Sequence, residues 1–179
     1  MLLSNLRRAV LASVLFFLLL GLGYPALMVG VGGLFFKSQA TGQITRNGST
    51  LVGQHWSGPR WFQGRPDADN PMASGPQNYG PKSKLLLDFS RSRVTALKRE
   101  GITPTNDLVT GSGSGIDPDI APADAFAQAR AVARANGLPL GRVEALIKAH
   151  VIGRYWGFLG SPYIDVLQLN EALAALAHR

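Results

Sequence analysis

The stretch AVLASVLFFLLLGLGYPALMVGVGGLFF, residues 9–36, carries no charged residue and is apolar almost throughout. As a helix it would be about 42 Å long, more than the roughly 30 Å of a bilayer's hydrocarbon core. Residues 10–20 alone favour insertion by roughly 4 kcal/mol. Gly21, Gly23 and Pro25 interrupt the middle. Pro25 would break a helix in water, whereas in a bilayer a kink or a neighbouring helix compensates for the lost hydrogen bond. Gly21, Gly30, Gly32 and Gly33 are small enough to let another helix's backbone come close, which points to a partner within the membrane. The expected organisation is a tail over 1–8, a transmembrane helix over 9–36 and one soluble domain over 37–179.

A secretory signal is the competing reading, because Arg7 and Arg8 form a basic start and Ser38-Gln39-Ala40 resembles a cleavage site. A signal's apolar region runs about 7 to 15 residues, and this one is roughly twice that, so an uncleaved anchor is favoured. Arg7, Arg8 and the amino terminus outweigh Lys37 beyond the span. The positive-inside rule then places the N-terminus in the cytoplasm and the soluble domain outside it.

The net charge of +7 on 179 residues is unevenly spread. Residues 1–66 hold Arg7, Arg8, Lys37, Arg46, Arg60 and Arg65 and no acid. The densest later basic run, KSKLLLDFSRSRVTALKREG at 82–101, is diluted by Asp88 and Glu100, so a nucleic-acid partner is not expected. The absence of cysteine removes disulfides, thiolate metal sites and thiol nucleophiles together. His55, His150 and His178 are too far apart to suggest a metal site.

In the soluble part, SQATGQITRNGSTLVGQHW suggests one or two short strands with a turn at Asn47-Gly48. Residues 57–81 are rich in proline and glycine, yet Trp56, Trp61, Phe62 and Tyr79 lie in and beside them. Bulky rings are not linker composition, so an ordered functional loop is expected. Helices are expected over 85–100, stopped by Gly101, and over 122–136, opened by Pro122 and capped by Gly137. Phe126, Ala129, Val132 and Ala133 would share one face of the second. Ala121 offers no capping oxygen there, leaving Asp119 or Asp124 to meet the free amides. A third helix over 140–155, a short strand at 107–109 and a strand at 163–167 feeding a last helix complete an irregular mixture. The class is α+β.

The loop TGSGSGIDPDIAP, 110–122, precedes a helix, where anions commonly bind. It lacks the Lys-Ser/Thr of a phosphate-binding loop, and Asp117 and Asp119 would repel phosphate. A tight turn with an Asx turn at Asp117 is therefore favoured over ligand contact. His150, spaced helically from Ile147 and Val151, reads as a packed or cap-adjacent residue rather than a base. Ser112 and Ser114 belong to no hydrolase motif. Spacing alone does not bring Asp67, Asp69, Asp117 and Asp119 into one cleft as acid and base. An enzyme is not indicated.

Six stretches taken together, GLGYP, LVGQHW, RWFQGRPDAD, NPMASGPQNYGP, DLVTGSGSGIDPDIAP and GFLGSPYIDVLQLNEALAAL, closely resemble the KdpC family, the C subunits of the bacterial Kdp potassium-transporting P-type ATPases. The resemblance covers nearly the whole chain in order. It implies a non-catalytic subunit in the bacterial inner membrane, assembled with KdpA-, KdpB- and KdpF-type subunits, with ATP hydrolysis on the B subunit and potassium passing through the complex. It implies no tightly bound cofactor. A catalytic-chaperone role, raising the B subunit's affinity for ATP, would put Gly111, Ser112, Gly113, Ser114 and Gly115 in contact with nucleotide. The expected topology opposes that contact, since it holds the loop outside the cytoplasm. The sequence also has Asp119 and Ala121 where the family commonly has His or Asn and then Ser or Thr. Under the pump reading, Gly21, Gly23 and Pro25 shape the membrane contact, and Trp61, Arg65, Pro66 and Asn78 face partners or the ion entrance. Asp117 and Asp119 would attract cations, against the domain's positive charge. The alternative is an independent, membrane-anchored extracytoplasmic module that binds a small ligand with its aromatic-proline loop. An anchored hydrolase would need a nucleophile-base pair that the sequence does not show.

Overall fold

The computed structural model describes residues 2–67 and 74–177 and divides into two units, Met1–Ile44 and Thr45–Arg179. Asp69 and His178 lie outside the described residues.

The first unit is dominated by a continuous helix, Leu2–Phe35, none of which is buried within the chain. Among the described residues it is the one helix long and apolar enough to cross a membrane. It begins seven residues before Ala9, because Leu2, Leu3 and Leu6 carry helix-forming apolar residues past Arg7 and Arg8. Within it, α1 (Leu2–Phe16) and α2 (Tyr24–Phe35) are joined by a π-helical turn, Phe17–Gly23. The Tyr24 amide accordingly reaches Leu19 O, five residues back. Pro25 follows in the first turn of α2. In a regular helix its ring would press on the carbonyl four residues earlier, and a wider turn relieves that conflict without ending the helix. Gly21 and Gly23 lie in the widened turn, where an added Cβ would meet the Phe17 ring and Leu18 O at 3.5 Å. Gly30, Gly32 and Gly33 have nothing within 4 Å of the same position, so that flank is open to another helix. Phe36 leaves the helical conformation at φ −131°, and the short α3 (Lys37–Ala40) follows.

The second unit contains α4 (Lys84–Arg99), α5 (Asn106–Val109), β1 (Asp119–Ile120), α6 (Pro122–Asn136), α7 (Leu140–Ala149), β2 (Ile164–Asp165) and α8 (Val166–Ala177). The two strands pair antiparallel, Asp119 opposite Asp165 and Ile120 opposite Ile164. The α+β class is as the sequence predicts.

Helix α6 is covered on two sides, which explains its alanines. Ala125, Ala129, Val132 and Ala133 pack into the main core with Val143 and Ile147 of α7, Leu169 and Leu173 of α8, the strand residues Ile120 and Ile164, and Phe62. Ala131, on the opposite side, joins Leu97, Ile102 and Leu108 in a second cluster under α4 and α5. Small side chains let both layers approach the backbone of α6, a close packing that larger residues would force apart. Phe126 does not share the buried face: it is 37% exposed, one residue around the helix from Ala125. At the N-terminus of α6, Asp124 Oδ2 accepts the Ala121 amide at 3.0 Å, so the acid inside the first turn meets the free backbone and Asp119 does not. Gly137, at φ 65°, ends the helix, and Leu138 N–H closes onto Ala133 O at 2.9 Å.

Four expected elements differ. Residues 107–109 are not a strand but part of the single-turn α5, because Leu108 is drawn fully into the cluster under α4. Helix α7 stops at Ala149 rather than continuing to 155: His150 caps it, with its amide on Ile147 O at 3.0 Å, and Ile152 instead pairs with Tyr163. β-Branched Val151 and Ile152 favour that extended path. The strand expected at 163–167 is confined to Ile164–Asp165, and Val166 already belongs to α8. No strand occurs over residues 45–56, although the turn at Asn47-Gly48 is present, closed by Thr45 N–H to Gly48 O at 2.6 Å.

Candidate functional site

The segment Trp61-Phe62-Gln63 lies outside any helix or strand and is held by side chains that bond its backbone as a neighbouring strand would. Asn170 of α8 accepts the Phe62 amide through Oδ1 at 2.9 Å and donates Nδ2 to Phe62 O at 2.9 Å. Gln128 of α6 does the same to the next residue: Gln63 N–H to Oε1 at 2.7 Å, and Nε2 to Gln63 O at 3.0 Å. A carboxamide carries one donor group and one acceptor on adjacent atoms, the pair a neighbouring backbone would offer. Both amides are fully buried. Phe62 is thereby seated in the core, and Trp61 packs on Trp56 with ring centres 5.2 Å apart.

Gln63's own side chain extends the network to α4. Its Oε1 accepts from Arg93 Nη2 at 2.8 Å, its Nε2 donates to Glu100, and Arg93 Nε donates to Leu108 O at 3.2 Å. Burial lowers the Arg93 pKa from its ordinary value, against the opposing effect of the Glu100 charge.

Two residues further along, the same segment holds the glycine loop. Arg65 pairs with Asp107 of α5 at 3.2 Å and donates to the carbonyls of Gly111 at 3.0 Å and Thr110 at 3.4 Å. Asp67 enters the loop. Its Oδ1 accepts the Ser112 amide at 2.5 Å, and its Oδ2 accepts the Ser112 hydroxyl at 2.6 Å and the Asp117 amide at 2.8 Å. The loop does wrap around an anion, and that anion is a carboxylate of its own chain. Short charge-assisted bonds of this kind are the stronger class. Ser112 Oγ also takes the Gly115 amide at 2.9 Å, Ser114 Oγ takes the Ile116 amide at 3.2 Å, and Asp117 Oδ1 accepts the Asp119 amide at 3.1 Å, the Asx turn expected there.

A cavity of about 410 Å³ opens beside these residues, lined among others by Arg65, Asp67, Asp117, Arg93, Trp56 and Tyr79. Pro66 and Gly115 also border it. Ser112 is buried against Asp67, whereas Gly113 has nothing within 4 Å of an added Cβ. Asn78 is exposed and adopts φ 51°, a left-handed conformation that asparagine tolerates better than most residues. Asp119 lies on β1 opposite Asp165. Burial, then the charges of Asp117 and Asp165, push its pKa up to about 6. Asp165 is raised in the same direction, chiefly by burial. His150 Nδ1 lies 2.8 Å from Leu146 O at the end of α7, as a cap-adjacent histidine would.

The sequence of this chain matches the family described as "KdpC: K+-transporting ATPase, c chain" over residues 6–175. The chain belongs to the KdpC family. KdpC relatives of similar length align almost end to end. The "Potassium-transporting ATPase KdpC subunit" of Paraburkholderia phytofirmans is 42% identical over 172 residues, 88% of this chain and 90% of the relative. That of Caulobacter vibrioides is 43% identical over 185 residues, covering 97% and 94%. That of Geobacter sulfurreducens is 41% identical over 186 residues, covering 97% and 98%. The KdpC chain is thus a subunit of a potassium-transporting ATPase, carrying one N-terminal helix fit to span a membrane.

Sequence reasoning singled out Arg65 and the glycine loop, and the structure brings them together with Asp67. It missed the roles of Gln128 and Asn170. Their signal was present: each is a polar residue at a core position of its helix, Gln128 four before Val132 and Asn170 three before Leu173. Asp67 carried no local signal, because its partners lie 45 and 50 residues away.

Proposed function

We propose that this KdpC chain is a non-catalytic assembly and regulatory subunit of an ATP-driven potassium uptake complex in the bacterial inner membrane. Its span docks against KdpA-, KdpB- and KdpF-type subunits, through the open flank at Gly30, Gly32 and Gly33 and the π-helical turn at Gly21, Gly23 and Pro25. The N-terminus is cytoplasmic by the charges of Arg7 and Arg8, and the second unit is extracytoplasmic. ATP hydrolysis belongs to the KdpB-type subunit. Membership of the family over residues 6–175 is the observation that carries this reading. Tagged chain is expected to co-purify with a channel-like subunit and a P-type ATPase and to lose both when residues 9–36 are replaced by an unrelated span. Retention of both partners would refute it. A C-terminal reporter active only in the cytoplasm would refute the topology.

For residues 111–115 we propose a structural or gating role rather than nucleotide contact. Support comes from Asp67, whose carboxylate occupies the Ser112 and Asp117 amides that a phosphate would use. If the loop served as ATP's binding site in a catalytic chaperone, Gly113→Val would abolish binding without disturbing the fold, since Gly113 faces open space. Micromolar ATP binding by the purified chain, lost in that variant, would overturn the structural reading.

The cavity of about 410 Å³ gives the independent ligand-binding module its best support. A stable monomer in detergent that binds a small polar ligand, and loses it on filling the cavity through Gly64→Leu, would favour that module over the pump subunit.

A further inference from the structure

The strongly exposed aromatic surface of the second unit lies in the hairpin that follows α7. Ile152 and Tyr163 exchange hydrogen bonds at 2.9 and 3.0 Å, and Tyr155 and Leu159 exchange two at 3.0 Å. Between them, Trp156 and Gly157 turn the chain at φ 49° and φ 81°. A left-handed conformation is unfavourable for a bulky residue, and glycine or asparagine would serve this turn without that cost. The turn instead holds out an indole. Trp156 is 85% exposed, Phe158 69% and Tyr155 67%, with the Trp156 and Phe158 rings 6.5 Å apart. Among the described residues nothing supplies apolar cover for them.

The surroundings narrow the choice of cover. Residues 145–164 contain no acid, while Lys148 and Arg154 are both exposed. Tryptophan and tyrosine beside basic side chains are the combination enriched where membranes meet water, because each ring has an apolar body and a hydrogen-bonding edge and the cations pair with anionic headgroups. Nine residues separate the end of the membrane-spanning helix at Phe35 from the start of the second unit at Thr45. Such a tether keeps a lipid surface at high effective concentration for the unit it carries.

We propose that residues 155–159 form an interfacial membrane anchor, with Tyr155, Trp156 and Phe158 entering the headgroup and upper acyl region and Lys148 and Arg154 contacting anionic headgroups. This rests on the reading that Leu2–Phe35 spans the bilayer. It adds a second point of attachment, which would restrict how the second unit tumbles on its tether.

The chain's three tryptophans, Trp56, Trp61 and Trp156, all lie outside the span, so lipid quenching reads the second unit alone. The test uses the full chain in nanodiscs of phosphatidylcholine and phosphatidylglycerol, with part of the phosphatidylcholine brominated high on its acyl chains. Bromination is expected to remove up to about a third of the emission, the share of one tryptophan in three, and Trp156→Phe to abolish that quenching while leaving the melting temperature unchanged. Omitting phosphatidylglycerol is expected to weaken it. Equal quenching in wild type and variant overturns the proposal, as does an unquenched Trp156 that becomes shielded from iodide only in the assembled pump, which would assign the hairpin to a protein partner. Alkaline carbonate extraction separates the two levels: a chain that washes off refutes the span as well, whereas a chain that stays with Trp156 unquenched refutes the hairpin anchor alone.

Discussion

Gln128 and Gln63 are 65 residues apart in sequence and meet through two hydrogen bonds, the Gln63 amide to Gln128 Oε1 at 2.7 Å and Gln128 Nε2 to Gln63 O at 3.0 Å. Asn170 treats Phe62 in the same way from the other helix. A buried segment outside any helix or strand thus has its backbone satisfied by two helices. Register follows from this arrangement. A slip of one residue would withdraw Phe62 from the core and misplace Arg65 and Asp67.

Gln128→Ala leaves the Gln63 N–H and C=O buried without partners, at about 1–3 kcal/mol for each group. A loss of at least about 2 kcal/mol in urea unfolding is expected. Gln128→Glu keeps the acceptor but removes the donor, so it too should destabilise at neutral pH and recover in acid as the carboxyl protonates. Wild-type stability in Gln128→Ala would show that water replaces the amide, and that the clamp is dispensable.

Asp67→Asn replaces one oxygen by an NH2 group, which cannot accept. Whichever way the amide turns, at least one loop donor among Ser112 N–H, Ser112 Oγ–H and Asp117 N–H loses its charged partner, at about 1.5–3 kcal/mol for such a bond. The amides of Ser112 and Asp117 should exchange with deuterium faster, while those of α7, away from the loop, keep their protection. Unchanged exchange at both loop amides would mean that Asp67 does not organise the loop.

Legibility in the sequence followed the range of the signal. Helix α6 could be bounded because Pro122 and Gly137 act locally, and its capping acid was narrowed to two candidates for the same reason. Three apolar or acidic residues at 107–109 are too short to show any period, and only the packing of Leu108 under Leu97 makes them helical. Helical spacing ran on past Ala149 in the sequence, but the pairing of Ile152 with Tyr163 is a tertiary event eleven residues downstream. In the glycine loop the Asx turn at Asp117 was legible because it acts over two residues. The carboxylate inside the loop was not: the sequence favoured a tight turn over anion contact, and Asp67 supplying the anion depends on the chain path between them.

Glycines of the loop should not be equivalent. Gly115 adopts φ 71°, and an added Cβ would run into the Gly75 carbonyl. Gly115→Ala is therefore expected to cost more than the roughly 1–2 kcal/mol of the left-handed conformation alone. Gly53→Ala should also destabilise, because its Cβ would fall 2.5 Å from Asp117 O, at the point where the Gly53 amide bonds Ile116 O at 2.7 Å. Gly113→Ala meets open space and should stay within about 0.5 kcal/mol of wild type. Equal melting temperatures for the Gly115 and Gly113 variants would contradict this backbone geometry.

Asp119 makes stability depend on pH in a direction opposite to that of a salt-bridged acid. Its pKa is raised from 3.8 to about 6 by burial, by Asp117 two residues before it and by Asp165 across the ladder. The folded state therefore binds this proton more tightly than the unfolded state does. Stability from this group falls as pH rises from about 4 through about 6, and the penalty is complete above that window and absent below it. Asp165, raised in the same direction, acts alike. Asp119→Asn keeps the Asp119 backbone in its ladder and in the Asx turn while removing the titration. The variant should melt above wild type at about pH 7.5 and converge with it near pH 4. Melting curves of the full chain in detergent across that range decide the matter, and an Asp119→Asn offset that stays constant with pH would show that this carboxyl is not strained by its neighbours.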